Sequence, residues 1–206
     1  MQIKQVAFVA LLLLISQVAS AGDAVPPPAM VDNSVSATIK QDPLTPLKMG
    51  SLKITLEKTS LKEIQSAIGK GKINSHGDAS EALAWLCYTV STSNPKQRIW
   101  LSSGEMGGLS IIDGITAIKI PSNATPSLEC PELSPRFNPI RFTNGIWLGA
   151  SEKTFLKSYG DVKKTRDTKS YIYIGKLREY DVISSLNVQF KNHESVAIYA
   201  NHVTSN

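Results

Sequence analysis

Two stretches of the chain read alike, SLKEIQSAIG at 60–69 and SEKTFLKSYG at 151–160. Aligned on the closing glycine, both have the form S-x-K-x-ϕ-x-x-x-ϕ-G, where ϕ is bulky and apolar or aromatic. Ser60 with Glu63 three residues on spells a capping box, in which hydroxyl and carboxylate satisfy amides left free at a helix start. Leu61, Ile64 and Ile68 recur at i, i+3 and i+7 and make one apolar stripe. Gly69 stands where a helix commonly ends in a left-handed turn. In the later stretch Ser151 is the cap, Phe155, Leu156 and Tyr159 are the stripe, and Gly160 is the stop.

The likeness continues beyond each glycine. After Gly69 come a polar connector, a short helix expected from Asp78 with Glu81, and three strand-like runs: ALAWLCYTV (82–90), RIWLS (98–102) and GITAIKI (114–120). After Gly160 come DVKKTRDTK and then SYIYIG (170–175), SLNVQFK (185–191) and VAIYAN (196–201). The expectation is an α+β protein of two tandem repeats, 52–120 and 140–206. Each repeat is a helix, or two, and a three-stranded antiparallel sheet with the helices on one face. PSNATPSLECPELSPRFNP (121–139), with five prolines, reads as the linker between them.

Alternation along the strands sorts two faces. In the second repeat Ile172, Ile174, Leu186, Val188, Phe190, Val196 and Ile198 are expected under the helix, leaving Tyr171, Tyr173, Asn187, Gln189, Lys191, Tyr199 and Asn201 outside. In the first, Leu86, Ile99, Leu101, Ile118 and Ile120 are expected inside and Trp85, Cys87, Arg98, Trp100 and Lys119 outside. Each sheet would then have one oily face and one that mixes rings with polar groups.

The amino terminus reads as an export signal: Lys4, the thirteen-residue apolar run VAFVALLLLISQV (6–18), and Ala19-Ser20-Ala21 as a cleavage site. A membrane span needs roughly 20 apolar residues, and GDAVPPPA cannot extend this one. A soluble mature chain starting at Gly22 is expected, periplasmic or secreted, without membrane insertion after cleavage. Residues 22–51, rich in Pro, Ser, Asp and Val, read as a flexible leader. Cys87 and Cys130 are the only cysteines, and in an oxidising compartment they are expected to form a structural disulfide. A catalytic thiol would need a base beside it, and a redox pair C-x-x-C spacing.

These residues together resemble a known pattern. Tandem helix–helix–three-strand units with a serine entry and a glycine stop are similar to the β-lactamase inhibitory protein fold. A single unit resembles the small outer-membrane assembly lipoproteins of the SmpA/BamE type. GIWLGASEKTFLKSYGDV (145–162) carries most of the resemblance, with WLSSGEMGG (100–108) beside it. The lipoproteins need a lipidated amino-terminal Cys, which this sequence lacks, and the inhibitory protein has a disulfide in each half. The resemblance therefore implies the fold and a habit of binding proteins through the exposed sheet, not inhibition of a β-lactamase. The face assignment independently offers Tyr171, Tyr173, Tyr199, Gln189, Lys191, Trp100, Trp85 and Arg98 as partner-binding residues. Tyr and Trp bury large areas at small rotamer cost.

Chemistry is harder to find. His76 and Asp78 lie in a connector without a G-x-S-x-G elbow. His193 and His202, with Glu194, lack metal-ligand spacing. GKGK (69–72) lacks the phosphate-loop pattern. The run KKTRDTK (163–169) reads as a solvated loop, and Asn123-Ala124-Thr125 is a glycosylation triplet only in a glycosylating host. Residues 22–135 carry ten basic and eleven acidic side chains and residues 136–206 eleven and six, too slight a surplus for nucleic acid. No cofactor, metal or catalytic set is expected. The expected function is an exported non-catalytic protein-binding module, one form of which is an inhibitor or immunity-type protein of a hydrolase. The alternatives are a cell-envelope assembly or structural protein, and an enzyme with an unrecognised site near His76 and Asp78 or His193.

Overall fold

The computed structural model describes residues 25–29 and 37–205, so the expected signal at 1–21 lies outside the described residues. Helix α1 (Leu61–Ile68) begins at the capping box. The Ser60 amide donates to Glu63 Oε2 at 2.6 Å and the Glu63 amide to Ser60 Oγ at 3.2 Å. These bonds stabilise the ionised carboxylate and lower the Glu63 pKa below its usual value. Gly69 closes the helix in the left-handed region, φ 74°. Helix α2 (Glu152–Tyr159) is capped by Ser151 alone, because Thr154 stands where the first helix has its glutamate. The stripes differ too: α1 buries Leu61, Ile64 and Ile68, whereas α2 buries Phe155 and leaves Leu156 exposed. The helix expected at Asp78 is one 3-10 turn, Ala79–Glu81, too short to offset helix nucleation.

The strands correct the expected architecture. After α1 come β4 (Asn74–His76), β5 (Leu83–Val90), β6 (Gln97–Gly104) and β7 (Gly114–Lys119). After α2 come β9 (Thr168–Leu177), β10 (Tyr180–Lys191) and β11 (Glu194–Ser205). They do not form two helix-plus-three-strand repeats. Strand β7 pairs antiparallel with β11, Ile118 opposite Ala197 and Gly114 opposite Asn201. With β1 (Ala37–Thr38) this makes one mixed eight-stranded sheet, ordered β1-β9-β10-β11-β7-β6-β5-β4. The fold is mostly β. Two separate sheets would each have left a row of unpaired amides and carbonyls, and the β7–β11 seam satisfies both rows at once.

Residues 37–51, expected as flexible leader, are built into the fold. Strand β1 runs parallel to β9 for two residues, Ala37 opposite Tyr171 and Thr38 opposite Ile172. Strand β2 (Leu47–Met49) lies between β3 (Leu52–Ile54) and β8 (Ile140–Phe142) in a second, three-stranded sheet. Leu47 and Met49 are fully buried there. This small sheet and the two helices cover one face of the large one. Leu61, Ile64, Phe142, Trp147 and Phe155 pack in one cluster with Leu86, Tyr88, Ile99, Leu101, Leu186, Val188, Phe190 and Ile198.

Alternation orders the faces of the strands, but on two of them its phase is the reverse of the expected one. In β9 it is Tyr171 that turns inward, stacked on Phe155 with ring planes 18° apart, while Ile174 turns outward and is exposed. In β7, Ile115 and Ala117 are inside, and Ile118 packs against the opposite cluster of tryptophans and cysteines. SYIYIG and GITAIKI carry apolar or aromatic residues in both registers, so period two cannot choose between the faces.

Cys87 and Cys130 form a disulfide with Cα atoms 4.6 Å apart. The linker that carries Cys130 runs along β5: the Thr89 amide donates to Pro131 O at 2.9 Å and the Leu133 amide to Thr89 O at 2.8 Å. Thr89 Oγ1 also donates to Cys130 O at 3.0 Å. The linker thus extends the β5 edge where β4 stops. Among the described residues no helix is long and apolar enough to cross a membrane.

Candidate protein-binding face

Strand register lays out, rung by rung, the face of the large sheet turned away from the helices. One rung runs Cys87, Trp100, Thr116, Tyr199, Asn187, Ser170. The next runs Trp85, Ser102, Gly114, Asn201, Ser185, Ile172. Tryptophans therefore stand at the β5–β6 end, hydroxyls, amides, a glycine and the Tyr199 ring lie along the middle, and Ile172 stands at the β9–β10 end. Gly114 lets the Ser102 hydroxyl lie close against the backbone in the middle, where a Cβ would push Ser102 Oγ aside.

The two ends are finished differently. At the β5–β6 end, Trp85, Cys87, Trp100 and Cys130 form a buried cluster with Val25, Leu83 and Ile118 packed on it. Trp100 Nε1 donates to the carbonyl of Val25 at 2.9 Å. Among the described residues, Trp85 Nε1 is buried without a hydrogen-bond partner. Arg98 is half-buried on the same side, opposite Thr89 and Ile118. At the β9–β10 end, Ile174 and Ile183 stand directly opposite each other, 57% and 42% exposed, and nothing among the described residues covers them. Between the ends lies Tyr199, half-buried, its phenol pKa raised by that burial.

Of the eight expected partner-binding residues, the register gathers Trp85, Trp100, Arg98, Tyr199 and Gln189 on this face. Trp85 and Trp100 are buried beneath the chain's own Val25 rather than free. Tyr171 is a correction: it is fully buried on the helix side, where burial, then the Glu152 carboxylate, raise its pKa. Tyr173 is a second correction. It shares the helix side with Ser184, its cross-strand partner, and its ring lies over Gly175. Lys191 sits at the β10–β11 turn opposite Glu194. The exposed Ile174 and Ile183 escape the sequence reading because it inverts the phase of β9. The signal that marks them is Ile183 itself, an apolar residue beside Val182 in the VISS run of an otherwise alternating strand.

The titratable groups bring one more arrangement together. Ser184 Oγ lies 2.7 Å from His202 Nδ1 and donates to Asp42 Oδ2 at 3.0 Å, while His202 Nε2 lies 3.5 Å from Glu57 Oε2. Serine, imidazole and carboxylate in sequence are the parts of an activated nucleophile. Here the serine is fully buried and its hydrogen is given to Asp42, so no substrate carbonyl reaches it. Glu57 also accepts from the Thr204 amide at 2.7 Å. The cluster fastens the segment before β2 and the turn after β3 to the last strand. Glu57 and Thr204 alone are 147 residues apart, and no sequence motif joins the members of the cluster.

The other expected sites remain apart. His76 and Asp78 are exposed. His193 is exposed and touches Glu152, whose carboxylate is also met by Lys164 and Lys169. Burial pushes the Glu152 pKa up, but these three partners together outweigh it and the net shift is downward. Of GKGK, Gly69 is the helix stop and Gly71 lies against the ring of Tyr88, whose hydroxyl donates to Lys70 O at 2.9 Å. Among the described residues no three His, Cys, Asp or Glu side chains are grouped to hold a metal ion. No family model, no curated protein and no solved structure matches the chain.

Proposed function

We propose that this chain is an exported, non-catalytic protein-binding module that engages a protein target through the sheet face opposite its helices. The observation that carries the reading is the Ile174–Ile183 pair, two large apolar side chains facing each other across strands and left exposed among the described residues. Contiguous exposed apolar surface is costly to a soluble protein and marks interaction sites. Tyr199 continues the surface inward with a half-buried ring. The sealed Ser184 supports a binding role over catalysis. Export is supported by the apolar run at 6–18 and by the disulfide, a bond that persists in oxidising compartments.

The test places a photo-crosslinking residue at position 174 and, as a control on the helix side, at the exposed Lys62. In extracellular and envelope extracts of the host, position 174 is expected to yield one discrete protein adduct and position 62 none. Equal labelling from both positions, or none from either, would overturn the reading. Fractionation of the adduct separates a soluble target from membrane-bound assembly machinery.

A further inference from the structure

The β5–β6 half of the same face is already occupied, and by an unusual segment. Val25-Pro26-Pro27-Pro28-Ala29 lies across it, held at its start by the 2.9 Å hydrogen bond from Trp100 Nε1 to Val25 O. Three consecutive prolines have no amide hydrogens, so the segment can cross a sheet of side chains without stranding buried donors. Prolines also favour an extended polyproline conformation, which lowers the entropy lost on docking.

The fit is incomplete. Beyond the anchored Val25, Pro27, Pro28 and Ala29 form one wall of a cavity of about 400 Å³ whose floor includes Ser102, Gly114 and Thr116. Trp85 Nε1, within the same buried cluster, has no acceptor among the described residues. One indole donor is satisfied by the segment and its neighbour is not. A buried donor left without a partner costs on the order of 1–3 kcal/mol. A groove built for this pentapeptide alone would have no use for the second donor or for the remaining space.

We propose that Val25–Ala29 is a stand-in for a ligand, and that this half of the face is a docking groove for an extended, proline-containing segment of a partner protein. The partner's segment displaces the chain's own. The recognition chemistry is legible in the occupant: an apolar side chain against Trp85, Trp100 and the disulfide, its carbonyl on Trp100 Nε1, and prolines over the small-residue floor. A fuller ligand adds a second carbonyl for Trp85 Nε1. Aromatic-lined grooves that take proline-rich extended peptides use the same contacts. This inference rests on the binding role proposed above and names the partner's chemistry at that face.

The experiment uses the full mature chain and a labelled synthetic peptide, AVPPPA, copying residues 24–29. In the wild type the tethered segment competes and peptide binding is weak, because apparent affinity falls with the fraction of open groove. Val25→Asp removes the apolar anchor and is expected to tighten peptide binding by about tenfold or more. Pro27→Gly with Pro28→Gly, which touches no core side chain, is expected to act in the same direction. Adding Trp100→Phe to either variant keeps a ring but removes the indole donor, and should weaken binding again by about tenfold, the size of one neutral hydrogen bond. Peptide affinity unchanged in both opened variants, or insensitive to Trp100→Phe, overturns the proposal. If that happens while position 174 still crosslinks a target, the groove idea alone fails. If the peptide binds and position 174 labels nothing, it is the broader binding reading that fails.

Discussion

The two ends of one sheet face adopt opposite policies toward water. At the β5–β6 end the tryptophans are roofed by a disulfide, a proline-rich linker and five residues from the amino-terminal region. At the β9–β10 end Ile174 and Ile183 have no roof among the described residues. Strand pairing, twist and alternation are common to both, so what differs is chain connectivity. The first end lies within reach of segments that fold back over it, while the second is the turn end of the β9–β10 hairpin. Aromatic character alone therefore says little about which residues meet a partner. What matters is whether the chain itself has already met them.

That contrast can be broken most severely at Trp100. Trp100→Ala removes the ring from a fully packed cluster and should cost about 4 kcal/mol, read as a drop in denaturation midpoint with unchanged m-value. Opening the disulfide by Cys87→Ser with Cys130→Ser should cost about 3 kcal/mol. Reduction of the wild type should reproduce that loss, and a much smaller effect would mean that the linker's backbone pairing at Thr89 holds the roof unaided.

A more moderate effect is expected at Asp113, in the turn that feeds the seam strand β7. Burial raises its carboxyl pKa, with the Gly104 amide opposing that shift through a 2.8 Å hydrogen bond to Oδ2. Since the folded state holds the proton more tightly than the unfolded chain does, this group's contribution is complete below the ordinary Asp range. It is lost as pH climbs from about 4 through the raised value. Asp113→Asn keeps an acceptor for Gly104 and cannot ionise. Its thermal midpoint should decline less than that of the wild type between acid and neutral pH. The smallest effect on stability belongs to the open end: Ile174→Lys with Ile183→Lys should move stability by about 0.5 kcal/mol or less. The same pair should abolish crosslinking from neighbouring outward positions. A large loss of stability there would show that the isoleucines are core after all.

Legibility in the sequence tracks the range of the interactions. Both helices are readable because caps and stops are local: Ser60 with Glu63, Ser151, Gly69 and Gly160 each act within one turn. The disulfide comes from a count of two. The seam between β7 and β11 is not readable, since no residue in either strand encodes its neighbour, and two helix-led units suggest two sheets where one exists. The small sheet escapes notice although LKM and LKI flank Gly50-Ser51, a two-residue turn of the kind hairpins use. Three residues of alternation are too few to stand out. At the candidate face, Trp85, Trp100 and Tyr199 fall on the side that alternation assigns them, but the roof over the tryptophans depends on Val25, sixty or more residues away in the chain.

The short reach of β1 has its own consequence. Past Ile172 the rim of β9 has no neighbouring strand among the described residues, and the charge standing on that rim is Lys176, held 2.7 Å from Asp181. A foreign sheet sliding alongside would have to strip water from that ammonium or break its ion pair. One cation on a short open rim thus works against edge-to-edge pairing along that border.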